Sequence, residues 1–403
     1  MASPITCLVT LHGIGFEQPP QPGFKNSGYA DLLHVHLNKC LDTMLSDDPN
    51  REREQRGENG VIYVESRWLT ATGIASREEG LKRLGSWSED RQLIETKDAP
   101  LVANGECVSH VALVYSNLEP KEPELGAALT TLGMSLFSVL HYAHALGLLH
   151  MALTDIQAMI GHHTAAADQK TASSRPRTDL GSRFARQQGQ QEQAAPPPSP
   201  GLMTAFRYLE EDVACYVCHN EERERIRGFV FEALLRLASR NDVGAIVLNA
   251  HSNGTVIALD VIRNLPPPAA AKIKAFITAG SPLRKYIDLF HWGQQIERLD
   301  PIKPWYNFWD EYDPVADPLE PPITWRRGDK LGSPYDSKLF SLIDPDSGVP
   351  SNIEVTDIKV DNVHKSSGGG LQAHNYWDNE EQFVKQLADM VCAIANNQLV
   401  TTT

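Results

Sequence analysis

The sequence predicts an α/β fold, a mostly parallel central sheet flanked by helices. Three observations lead there. Short runs rich in apolar and β-branched residues alternate with stretches whose apolar residues recur at three- and four-residue steps. One run, Ala245-Ile246-Val247-Leu248, is unbroken apolar sequence, as in a strand covered on both faces. The segments that end these runs carry Gly, Ser, Asp and His, where an open α/β sheet places its ligand-facing loops.

The elements follow in order. Ile5 to Leu11 reads as a strand by its apolar and β-branched content and runs straight into His12-Gly13-Ile14-Gly15. An amphipathic helix is predicted over 29–45, with Leu32, Leu33, Leu37, Cys40 and Leu41 on its apolar face. The charged stretch 49–58 is a loop, and 61–65 and 111–115 are two more strands. A long helix is predicted over 204–240. It carries Phe206, Leu209, Val213, Val217, Ile226, Phe229, Val230, Leu234 and Leu237. The apolar run at 245–248 then breaks into Ala250-His251-Ser252-Asn253-Gly254. A helix follows through Val256, Ile257, Val261 and Leu265. Further strands are predicted at 274–279, 305–309 and 353–360, and a final helix at 380–395.

Bulk composition narrows the function. With 403 residues the chain can bury a large core in one or two domains. The net charge of −14 argues against a nucleic-acid partner and against simple adhesion to anionic lipid. The start Met1-Ala2-Ser3-Pro4 lacks the basic residues of a secretory leader, so a cytoplasmic location is expected. Six scattered cysteines make no disulfide framework. Cys215-Tyr216-Val217-Cys218-His219 has the spacing of a haem attachment site. It falls on the face of a predicted core helix, and coincidence is the better reading. No second pair stands at zinc-ligand spacing, and neither metal nor cofactor is expected.

Two segments interrupt the alternation. Residues 127–153 hold no Asp, Glu, Lys or Arg. By length this stretch suits a bilayer span, a buried helical hairpin, or a lid over a greasy entrance, and membrane association stays open. Its His141, His144 and His150 suit packed or interfacial helix better than metal binding. From 165 to 201 apolar residues thin out, with Gln-rich and Pro-rich tracts, as in a flexible linker. The expected organisation is a core of 1–124 and 202–403, an apolar helical insertion at 125–164, and a linker at 165–201.

The chemistry centres on Ser252. A serine between a strand and a helix, flanked by small residues, is how a hydroxyl is raised from a sheet on a tight turn. A serine hydroxyl is a weak nucleophile at neutral pH and needs a base, which needs an orienting acid. Both follow in the order serine, acid, histidine. Asp313 is the favoured acid, stiffened by Pro314 and Val315 after it, with Asp310 and Asp317 as alternatives. His374, just ahead of the last helix in a Tyr- and Trp-rich turn, is favoured as base over His364. A tetrahedral oxyanion needs two backbone N–H donors. Asn253 follows the serine, and Ile14 lies in the early glycine loop. His12, His251 and Asn249 are read as supports.

Taken together, Leu11-His12-Gly13-Ile14-Gly15, Ala250-His251-Ser252-Asn253-Gly254, Gly280-Ser281-Pro282-Leu283, Asp313-Pro314-Val315 and His374-Asn375-Tyr376-Trp377 resemble the α/β-hydrolase superfamily. The nearest branch is that of lipases and esterases with a short His-Gly oxyanion loop, including proteins similar to the deacylases of glycolipid anchors. The resemblance covers about 1–120 and 202–395. It departs from the pattern at Ala250, where the family's turn begins with Gly, and in an insertion that precedes the serine strand. It implies an α/β-hydrolase fold with a helical insertion, and a serine hydrolase acting on a small or lipid-like carboxylic ester through an acyl-enzyme. Thioesterase or amidase activity with the same residues stays open. So does a hydrolase-fold protein that binds without catalysis.

Overall fold

The computed structural model describes residues 5–13, 29–45, 61–66, 76–94, 101, 108–115, 216, 220–290, 304–313, 315–321, 339–343, 350–366 and 372–400. Ile14, the predicted insertion at 125–164 and the linker at 165–201 lie outside them. So does the cysteine motif, apart from Tyr216.

Seven strands form one sheet. They are β1 (Ile5–Leu11), β2 (Ile62–Glu65), β5 (Val108–Val114), β6 (Val243–His251), β7 (Ile273–Ala279), β8 (Trp305–Trp309) and β11 (Thr356–Lys359). Their order is β11-β8-β7-β6-β1-β5-β2, and each neighbouring pair runs parallel. Two short antiparallel ribbons stand apart, β3 (Ser86–Trp87) with β4 (Leu93–Ile94), and β9 (Ser341–Ile343) with β10 (Pro350–Asn352). Strands from both sides of the 116–215 stretch share the main sheet.

A parallel sheet needs cover on both faces, because its crossovers lay helices on each side. The alternation along β1 shows this directly. Cys7, Val9 and Leu11 join Ile246, Leu248 and Ala250 of β6 in one apolar cluster. That face is covered by α3 (Asn220–Ser239) through Phe229, Val230 and Leu234, and by α4 (Gly254–Ile262) through Val256, Ile257 and Val261. Leu8 points the other way, with Val247, Ala275 and Ile277. There it meets α1 (Asp31–Leu45) through Leu33 and Leu37, and α8 (Lys385–Val400) through Leu387 and Val391. Short helices α2 (Ser76–Leu81), α5 (Pro267–Ala270), α6 (Leu283–Phe290) and α7 (Asn362–Lys365) complete the α-helices among the described residues.

The continuous burial of β6 explains its sequence, since a strand with no solvent face has no reason to alternate. Predicted and observed bounds differ at several elements; β5, for one, starts at Val108, three residues before the predicted strand. The last sheet strand starts at Thr356 because Ile353 donates its N–H to Phe340 O instead (3.1 Å). The final helix opens with a π turn over Glu380–Val384, capped by the Asn379 side chain on Gln382 N–H (3.0 Å), and continues to Val400. Of the helix predicted over 204–240, the described part is Asn220–Ser239, with Tyr216 also helical.

Among the described residues no helix is long and apolar enough to cross a membrane. The 127–153 stretch lies outside them.

One feature of the topology positions the site. From β1 the chain passes through α1 on one face towards β2. From β6 it passes through α4 on the opposite face to β7. Neighbouring strands whose connections leave in opposite directions open a crevice at their carboxyl ends. In this chain those ends are His12-Gly13 and His251-Ser252.

Candidate active site

Ser252 takes the turn directly after β6 with φ of +54°, one of only two non-glycine residues with positive φ among those described. Its neighbours hold it there. Ser252 N–H donates to Ala279 O of β7 (2.9 Å), and Ser252 O accepts from Thr255 N–H (3.0 Å) and Thr255 Oγ1–H (2.8 Å). The Ser281 hydroxyl donates to that Thr255 Oγ1 (2.9 Å). This ties the Gly280-Ser281 turn to the serine turn. Left-handed backbone at a residue with a Cβ costs roughly 1–3 kcal/mol and persists only where the surroundings overdetermine it.

Close packing demands glycine at two positions around the turn. A Cβ on Gly254 would stand 2.4 Å from His12 O, so the head of α4 lies against the loop after β1. A Cβ on Gly13 would stand 2.2 Å from Ser252 Cβ and 2.9 Å from its Oγ. The early glycine loop therefore lies directly on the serine. Asn253 heads α4, its side-chain Oδ1 held by the Tyr286 hydroxyl (2.7 Å). Its backbone N–H belongs to the first-turn donors that have no partner inside a helix.

The acid loop is built from consecutive Asp turns. Asp310 Oδ1 accepts from Tyr312 N–H (2.8 Å), and Asp313 Oδ1 accepts from Val315 N–H (2.9 Å). Asp313 N–H donates to Asp310 O (3.1 Å). This leaves Asp313 Oδ2 for His374, whose Nδ1–H donates to it at 2.8 Å. Of Asp310, Asp313 and Asp317, Asp313 is thus the one that meets an imidazole. Asp310 instead pins the histidine's segment through its second oxygen. Oδ2 accepts from Asn362 N–H (2.6 Å), and Asn362 Nδ2 donates to Ala373 O (2.7 Å), next to His374. Burial pushes the Asp310 carboxyl up to about 6. Asp317 pairs with Lys285 (2.5 Å). His364 is 55 % exposed and turns to Asp361 (2.8 Å), away from the serine.

His374 sits over the end of β7. A Cβ on Gly280 would stand 2.6 Å from its Cε1. Gly280 follows Ala279, the residue that pairs with His251 and accepts the Ser252 N–H. The imidazole and the hydroxyl thus share the ends of neighbouring strands. Both are buried, and among the described residues neither His374 Nε2 nor Ser252 Oγ has a hydrogen-bond partner. A carboxylate that fixes Nδ1–H leaves Nε2 as the lone pair able to take a proton.

The other two histidines near the serine have structural contacts. His12 Nδ1–H donates to Gly13 O (2.6 Å), its ring stacks on Tyr115 (4.0 Å), and its carbonyl accepts the Tyr115 hydroxyl (2.7 Å). Burial lowers its pKa to about 4. His251 Nε2–H donates to His374 O (3.0 Å), with the two rings 4.5 Å apart. Burial, then the charge of His374, hold His251 well below the usual histidine range. Both therefore stay neutral at physiological pH and hold backbone. A cavity of about 30 Å³, room for one water, lies between His374, His251, Trp377 and Tyr29 of the α1 side. Among the described residues no three metal-ligating side chains cluster.

Sequence reasoning missed one contact and one glycine. Tyr376 donates its hydroxyl to Asp313 Oδ2 (2.8 Å). Gly280, with φ of +62°, makes room for the imidazole. The signal for Tyr376 is the Tyr- and Trp-rich turn itself, which suits holding an imidazole but does not show that the phenol donates to the acid. Set against known proteins, the chain matches no family model, no curated protein and no solved structure, so the reading of its chemistry rests on the geometry of these side chains.

Proposed function

We propose that the protein is a serine hydrolase of the α/β-hydrolase type, cleaving a carboxylic ester through an acyl-enzyme. One observation carries the reading. A strained, buried serine with an unpartnered hydroxyl heads a helix at the crevice of a parallel sheet, beside an imidazole already held by a carboxylate. Left-handed strain at a serine between strand and helix is costly, and it is how such a turn raises a nucleophile.

The steps follow from these atoms. Ser252 Oγ attacks the ester carbonyl carbon as its proton passes to His374 Nε2. Asp313 holds Nδ1–H and stabilises the imidazolium. The carbonyl oxygen becomes an oxyanion facing the Asn253 N–H; the second donor expected from the sequence, the Ile14 N–H, lies outside the described residues. The C–O bond to the alcohol then breaks, and the alcohol leaves with the proton from Nε2. Water, deprotonated by the same nitrogen, cleaves the acyl-serine ester and regenerates the hydroxyl. The Ser–His hydrogen bond of this scheme forms as substrate binds, since catalytic hydrogen bonds tighten in the Michaelis complex. The substrate is a small or lipid-like acyl ester.

The test is covalent labelling. A fluorophosphonate should modify folded wild-type protein at Ser252, located by peptide mass spectrometry, and should not modify Ser252→Ala. Folded protein that takes up no label removes the reading. Panels of matched ester, thioester and amide substrates then rank the three acyl chemistries.

A further inference from the structure

Asp313 Oδ2 carries two donors, His374 Nδ1–H at 2.8 Å and Tyr376 O–H at 2.8 Å. The Tyr376 oxygen in turn accepts the Asp310 N–H (3.0 Å). The hydroxyl therefore bridges the strand end that begins the acid loop and the carboxylate that ends its first turn. The ring holds it in place. Tyr376 is fully buried, stands edge-on to His374 (84°) and packs beside Phe383 (6.2 Å) and His251 (5.9 Å). A Cβ on Gly280 would stand 2.9 Å from its Cε2, so the floor under this ring is the floor under the imidazole. Burial, then the Asp313 charge, raise its phenol well above the usual range, which keeps it a neutral donor.

Resting on the hydrolase reading, we propose that Tyr376 is a positioning residue for the base: its hydroxyl holds Asp313 Oδ2 where His374 Nδ1–H meets it. A buried carboxylate beside a neutral imidazole favours taking up a proton, because burial penalises its charge. Hydrogen bonds to the anion offset that penalty, and Asp313 has three, from Val315, His374 and Tyr376. Titratable groups facing the pair are Asp310 on the same loop, His251 at the end of β6, and Asp378 beside the cavity next to His374. Beside His374, it is Tyr376 that donates to Asp313 Oδ2. Loss of this donor leaves more of the carboxylate's negative charge on His374 Nδ1–H, so the acidic limb of the rate should move to higher pH.

The experiment measures kcat and KM for a p-nitrophenyl ester across pH in wild type, Tyr376→Phe, and protein carrying fluorotyrosine at 376. Tyr376→Phe should move the acidic limb of kcat/KM up by about one pH unit and lower kcat roughly tenfold, with KM unchanged. Fluorotyrosine keeps the ring and the fold while strengthening the donor. It should move the limb the opposite way, which tests the idea even if the Phe variant does not fold. In an Asp313→Asn background, Tyr376→Phe should add little further loss. Acidic limbs that coincide in all three proteins, or a loss confined to KM, overturn the role of Tyr376 and leave the hydrolase reading standing. Wild type that takes no fluorophosphonate and turns over no ester brings down both.

Discussion

Gly13 and Ser252 touch so closely that no side chain fits between them, with a Cβ on Gly13 falling 2.2 Å from Ser252 Cβ. The contact joins the ends of two neighbouring central strands, β1 and β6, where the sheet's connections diverge. It makes the loop after β1 part of the site, whatever the remainder of that loop does. Gly13→Ala should therefore displace the serine. Labelling by fluorophosphonate should slow about 100-fold or more, since misplacement by about an ångström carries that cost. Overpacking should also lower stability by roughly 1–3 kcal/mol, read in urea melts.

Backbone strain at Ser252 separates function from stability. Ser252→Ala should lose turnover by about three to six orders of magnitude while its melt stays near that of wild type. Ser252→Gly should be equally inactive. It should be more stable than the alanine variant by about 1 kcal/mol, because glycine adopts φ of +54° without a Cβ penalty. Equal melts for the two would remove the claim of strain.

Contacts around the acid and base rank the competing residues. Asp313→Asn should cost about 10⁴ in kcat, because the imidazole then loses its tautomer control. Asp310→Asn should stay within about tenfold, since that carboxyl reaches His374 only through Asn362 and Ala373. His374→Ala should abolish turnover, and the exposed His364→Ala should leave it unchanged. Steady-state rates on one ester decide all four.

Asp310 also predicts a pH dependence of stability. Its carboxyl is raised from 3.8 to about 6 in the fold by burial. Between those values the unfolded chain ionises first, so the native state holds the extra proton. Stability should then fall as pH rises through this window, by at most about 3 kcal/mol. Asp310→Asn should flatten that slope in urea melts compared at pH 4 and pH 7.

Local sequence was enough to place the strands of the main sheet and the serine turn, but not the two short ribbons. The run 245–248 is apolar throughout because β6 has no wet face, and that composition is legible without any partner strand. Ser252 between small residues, Gly13 in the first loop, and the order of serine, aspartate and histidine were visible for the same reason, since each depends on its own few neighbours. Which aspartate meets which histidine was decided only in three dimensions. Asp310, Asp313 and Asp317 lie within eight residues and look alike in sequence, yet one turns to Asn362, one to His374 and one to Lys285. The second donor on Asp313 and the seat that Gly280 makes for the imidazole were equally hidden. Periodicity reports how a segment meets its own surroundings, whereas a contact across 60 residues depends on how strands stack, and that is a property of the packed sheet.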